Sequence, residues 1–264
     1  MPNKKGLKER QKERQMKQQR SDEARRKRRA AKAKNNPRKW PSKKALLAIS
    51  LIIIVFGAVL VWHLSIKPFT TIYIRSDGTV DPSSAALSNL GNSQYTFTAD
   101  IFGSIVVEID NIAIDGANHV LKGQIDTNST GIELNEKSNV TVTNLKIENF
   151  MYGVFLNSST NIVLSKNYLT SEYGFCFDSS SYNTVIGNDF TECVGAILLA
   201  LSSNNTILNN NLDNNEFGLN VDYGSSNNTI SGNTITNSQE GIVLDKLSNN
   251  NSIYENVLEK MNKE

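Results

Sequence analysis

From residue 131 onward, apolar and polar positions follow a fixed order that recurs about every 22 residues. Each unit opens with a glycine: Gly131, Gly153, Gly174, Gly195, Gly218 and Gly241. Behind it stand two apolar residues separated by one other: Ile132/Leu134, Val154/Leu156, Phe175/Phe177, Ala196/Leu198, Leu219/Val221 and Ile242/Leu244. A period of two puts both members of a pair on one face of a strand. A Ser/Asn turn follows, then a second apolar pair five residues apart: Val185/Phe190, Ile207/Leu212, Ile230/Ile235 and Ile253/Leu258. Between the members of such a pair lie Gly187-Asn188 or Gly232-Asn233, types that tolerate left-handed backbone and mark a bend. A unit this short holds two or three strands but not two helices and a turn. The spacing therefore predicts an all-β solenoid of stacked coils. Coils pairing in parallel at about 4.8 Å place equivalent residues above one another. Asn188, Asn210, Asn233 and Asn256 are then expected to form one internal side-chain ladder. Asn139, Asn161, Asn183, Asn205, Asn228 and Asn251 read as a second row at the same step.

The chain before the repeats has another character. Residues 1–44 hold 19 Lys/Arg against 4 Asp/Glu; the whole chain holds 28 and 26, which leaves 9 and 22 for residues 45–264. The modest overall charge thus hides a basic tail and an acidic body. Ala45 to Leu64 is apolar apart from Ser50 and His63, with Trp40 and Trp62 as interfacial aromatics. Twenty residues of helix span about 30 Å, the thickness of a bilayer core. Residues 45–66 are therefore expected to form one transmembrane helix, with a cleaved signal peptide as the alternative. The Lys/Arg excess would keep residues 1–44 cytoplasmic, and the β-domain would stand outside the cell. The tail has good helix formers but no apolar face and is expected to be disordered or only transiently helical, touching anionic lipid. It lacks the interleaved aromatics that single-stranded nucleic acid would stack on, so a nucleic-acid partner is not expected. Residues 67–104 are expected to be linker and N-terminal cap, with Asp81 to Asn92 as a loop or short cap, and residues 105–264 to be coils.

The units Gly241 to Asn256 (GIVLDKLSNNNSIYEN) and Gly218 to Asn233 (GLNVDYGSSNNTISGN) resemble right-handed parallel β-helix repeats. They are most similar to the NosD-like group, also described as carbohydrate-binding proteins and sugar hydrolases. The segment from Ile105 to Gly123 resembles that group's first coil, and the likeness covers about residues 70–264. It implies a right-handed parallel β-helix with carbohydrate as the ligand class. The copper handling of NosD itself is not carried over, because copper needs clustered His, Cys or Met. The chain has two histidines and two cysteines, and they are scattered.

Candidate chemistry rests on few residues. The fourth position after each opening glycine reads Asn135, Asn157, Asp178, Leu199, Asp222 and Asp245. On adjacent coils, Asp222 and Asp245 should stand about 5 Å apart. That spacing would suit a retaining glycosidase pair or a calcium ion, the one cofactor worth weighing; a plain row of turn-forming residues is the simpler reading and the favoured one. Asp178, Asp222 and Asp245 are the candidate catalytic residues. No arginine follows Gly131, so the arginine base of pectate-lyase chemistry is missing. The residues between each inward pair are Glu133, Phe155, Cys176, Ile197, Asn220 and Val243. An apolar row on an outer face suggests a docking surface, an aromatic platform for sugar, or cover by a loop. Phe155, Ile197, Val243 and the nearby Tyr223 are the candidate ligand contacts. Asn128 and Asn157 head sequons outside the ladder and are candidate glycan acceptors. A Cys176–Cys193 disulfide is permitted outside the cell, although stacking alone does not bring the two together. With no convergent catalytic set, the sequence favours a non-catalytic, membrane-tethered binder of carbohydrate or of another surface protein, with end-to-end or lateral self-association open to it. A tethered carbohydrate-active enzyme is the alternative.

Overall fold

The computed structural model describes residue 16 and residues 23–28, 68–124, 129–245 and 247–261. The chain divides into two units, Met1–Ile66 and Lys67–Glu264. In the first unit, residues 23–28 are helical and exposed. This is one short helical segment. Its residues are good helix formers, and Lys27 pairs with Glu23 one turn away at 2.9 Å. The expected membrane span, residues 45–66, lies outside the described residues. Among the described residues no helix is long and apolar enough to cross a membrane.

The second unit is a parallel β-helix of seven coils, each contributing three strands. In one coil these are Tyr152–Asn157, Val163–Ser165 and Tyr168–Thr170. Each strand pairs in parallel with its equivalents in the coils before and after, as Leu156 does with Leu134 and Phe177. Three faces result, and the strands opening each coil form the broadest. The first coil starts at Ile101, earlier than the expected residue 105. Its strand Ile101–Val107 is long enough to serve two faces, pairing with Val120–Lys122 at its start and with Thr130–Asn135 at its end. The inward positions form one continuous core from Ile72 to Ile235.

The corners explain the Ser and Asn content. Most corners place a residue in left-handed backbone, such as Asn161, Lys166, Glu192 or Leu201, and follow it with an inward side chain. Where that side chain is polar, its oxygen accepts a backbone N–H from the preceding coil. Asn188 N and Nδ2 both donate to Asn210 Oδ1, at 2.9 and 3.0 Å, while Asn210 Nδ2 donates to Val185 O at 3.1 Å. Asn210 and Asn233 repeat the arrangement, as do Asn233 and Asn256. The expected ladder is present.

The second Asn row is corrected. Asn139 and Asn161 are exposed left-handed residues, in line with Tyr182 and Asn204. The inward row runs Val140, Ile162, Asn183, Asn205, Asn228 and Asn251, changing from apolar to amide at the fourth coil. Asn-Asn doublets made the two positions indistinguishable by spacing. A serine ladder went unseen: Ser159 N donates to Ser180 Oγ, Ser180 N to Ser202 Oγ and Ser202 N to Ser225 Oγ, each at 3.0 Å.

The N-terminal end is capped by residues 70–97. Thr70–Ile74 lies in parallel on Gly103–Val107, and Leu87–Leu90, inside the stretch expected as a loop or short cap, is a strand antiparallel to Gln94–Phe97. Tyr95 and Phe97 plug the core, and the Tyr95 hydroxyl donates to Gly78 O at 2.8 Å. At the other end Ile253, Val257 and Leu258, equivalent to buried residues or neighbours of the coil below, are 40–47% exposed.

Candidate functional site

The outer surface of the broad face carries the one coherent group of candidate residues, and a kink at each opening glycine builds it. Strict alternation would send Tyr152 and Phe155, three apart, to opposite sides of the strand. Instead the pairing passes from Tyr152↔Tyr173 directly to Val154↔Phe175, leaving out the glycines between. A Cβ on Gly153 would stand 2.7 Å from Gly174 O, so only glycine lets the coils approach there. The kink returns the residue before the glycine to the outer face. Tyr152 and Phe155 consequently meet, with ring centroids 5.5 Å apart, and Tyr152 stacks on Tyr173 of the next coil at 5.7 Å.

Two outward columns follow from this register. The first reads Thr130, Tyr152, Tyr173, Gly195, Phe217 and Glu240; the second reads Glu133, Phe155, Cys176, Leu198, Asn220 and Val243. Cys176 points outward yet is buried, between Phe155 and Leu198 on the flanking strands. Burial pushes its thiol up, and pushes the Cys193 thiol up to about 11. Both cysteines are free, so no disulfide joins them. Tyr152 also has its phenol pushed up by burial.

Ile197 is corrected: it is fully buried and lies in register with Phe175 and Leu219, and Leu198 takes the outward position. Gly195 caused the error. It pairs with Tyr173 and Phe217, while Ala196 occupies the kink position that glycine holds elsewhere. The same one-residue shift puts Ala200, not Leu199, in the column of aspartates.

That third column reads Asn135, Asn157, Asp178, Ala200, Asp222 and then Asp245. Ala200 separates Asp178 from Asp222 by two coil steps, so the three carboxylates do not form one group. Asp222 and Asp245 are neighbours, and Asp222 is pushed up by burial and then by the Asp245 charge. Asn220 Nδ2 donates to Asp222 at 2.8 Å. Asp178 accepts from Ser179 Oγ at 2.9 Å. Tyr223 stands at the left-handed corner after Asp222, 66% exposed and away from the two outward columns. Val243 ends the second column. Asn157 Nδ2 donates to Asn135 Oδ1 at 2.9 Å, so a glycan there would replace that bond. Asn128 lies outside the described residues.

Sequence reasoning missed Tyr152, Tyr173 and Phe217, although each precedes a repeat glycine or stands in its column. It also missed a cleft of about 420 Å³ at the N-terminal end of the same face, lined by Phe69, Thr71, Tyr73, Ser104, Thr130 and Glu133 among others.

The family profile described as "Periplasmic copper-binding protein (NosD)" matches residues 92–263. The chain belongs to the NosD family. No curated protein matches the sequence. Among solved structures, the crystal structure of alginate lyase from Paenibacillus sp. str. FPU-7 aligns at 12% identity with a TM-score of 0.33, over 60% of this chain and 91% of that chain. A likeness that slight transfers neither substrate nor mechanism. The described residues of this NosD-family chain do not fit copper. Among the described residues no three His, Cys, Asp or Glu side chains gather into a metal-holding group. His119 faces Asp100 at 3.2 Å, and both thiols are buried and held protonated. For calcium, Asp222 and Asp245 are the only neighbouring aspartates of their column.

Proposed function

We propose that this NosD-family β-helix is an exported, non-catalytic carbohydrate-binding domain, with the glycan lying on the outer surface of the broad face. The supporting observation is the ring cluster of Tyr152, Phe155 and Tyr173, at 5.5 and 5.7 Å, in half-buried positions bordered by amides and hydroxyls. A sugar ring offers an apolar C–H face and a rim of hydroxyls. Aromatic planes beside polar side chains complement both, since such rings give large contact area at low entropy cost. The family description, periplasmic, supports placement on the outer side of a membrane, where residues 45–66 would tether the domain. Catalysis is not part of the reading. The neighbouring aspartates Asp222 and Asp245 lie in the third column, apart from the ring cluster.

A glycan array probed with the full chain and with a variant carrying Tyr152→Ala and Tyr173→Ala tests the reading. Oligosaccharides bound by the parent and lost by the variant, with β-sheet circular dichroism unchanged, are expected. Equal binding by both proteins, or none by the parent, would overturn it.

A further inference from the structure

The binding reading leaves open which glycans the face can take, and its charge pattern answers that. Between Thr71 and Phe217, the two outward columns carry a single charged side chain, Glu133. It stands at the junction of the two candidate features: its strand neighbours are Val106, in the N-terminal cleft, and Phe155, in the aromatic cluster. Glu133 is half-buried, and among the described residues none in the two columns is basic. The nearest arginine, Arg75, lies over the Tyr73 ring at 4.1 Å but is held by Glu108 at 3.0 Å and by Asp81. Lys137 turns away to Glu108 O at 3.4 Å. The lysines Lys122 and Lys146 belong to a different face of the solenoid. The third column adds Asp178, Asp222 and Asp245, all of the same sign.

We infer, on the strength of that binding reading, that the ligand is a linear glycan free of carboxylates, and that Glu133 selects it. The chain runs along the solenoid axis from the cleft onto the aromatic cluster. Coils repeat at about 4.8 Å, close to the advance of one sugar unit, so successive sugars meet successive coils. At the junction the Glu133 carboxylate accepts from a sugar hydroxyl or, more strongly, from an ammonium group. A polyuronate would set its carboxylates against Glu133 and, further along, against the aspartates of the third column, like charge against like, which disfavours it.

The test uses the full chain and three probes: a glucosamine tetramer, an N-acetylglucosamine tetramer and a polyuronate tetramer. Calorimetry should rank the glucosamine tetramer first, and Glu133→Gln should weaken it about tenfold, the scale of one charge-assisted bond. The same substitution should leave the N-acetylated probe within about twofold, because an amide still accepts or donates to a neutral sugar. The basic residues of the N-terminal tail can hold polyuronate on their own, so that probe is read by its dependence on the face. Binding of polyuronate that Tyr152→Ala abolishes would overturn the inference while leaving the binding face standing. So would an unchanged affinity for the glucosamine tetramer in Glu133→Gln. If Tyr152→Ala alters none of the three affinities, the binding reading itself fails.

Discussion

The buried amides carry more than one bond each, which is why they cannot be replaced one at a time. Asn210 accepts two donors from Asn188 and gives its own to Val185 O and Asn233. Asn210→Ala leaves at least two buried groups without partners, at roughly 1–3 kcal/mol each. We expect the urea midpoint to fall accordingly while the parallel β signature survives. Asp222 shows the opposite situation, a carboxylate that the fold disfavours. Burial and Asp245 raise its folded value above the ordinary 3.8. Its folded form therefore holds a proton longer than its unfolded form does. Stability from this group is present at low pH and falls as pH rises from the ordinary carboxylate value through the folded one. Asp222→Asn should remove that fall, so thermal melts against pH should diverge above this window, with the variant the more stable at neutral pH. A variant less stable than the parent at neutral pH would show that the carboxylate has a stabilising partner.

At the scale of the strand and corner, the glycine kink decides what the outer face can present. Gly153→Ala would press a Cβ to 2.7 Å from Gly174 O and 3.0 Å from the Leu169 side chain. We expect a loss of about 1–3 kcal/mol, typical of overpacking a filled site, visible as a lower thermal midpoint. The Asn188 to Asn256 ladder was legible in the sequence because one residue type recurs at one step. The fifth coil was misread because Gly195 imitates the kink glycine, and only pairing shows Ala196 in that place. The aromatic columns were hidden for a related reason. Alternation sends Tyr152 and Phe155 to opposite sides of the strand, and only the kink at Gly153 brings them together. The serine ladder was hidden by abundance, since Ser fills exposed corners such as Ser158 and Ser179 as readily as inward ones such as Ser159 and Ser180.

For the β-helix as a whole, the repeat is economical because each coil supplies the template for the next, through three parallel strands and several inward polar bonds. The proposed binding surface is built from what departs from that template. Rings stand in the first outward column at Tyr152, Tyr173 and Phe217, whereas the exposed tyrosines Tyr182 and Tyr223 sit at left-handed corners off the columns. This difference makes the account directly testable at residue resolution. Hydroxyl-radical footprinting of the full chain, read by mass spectrometry with and without a saturating glucosamine tetramer, should show protection of Tyr152, Phe155 and Tyr173, and none at Tyr182 or Tyr223. Protection confined to the corner tyrosines, or no protection of the column rings under saturation, would contradict the assignment of the broad face as the binding surface.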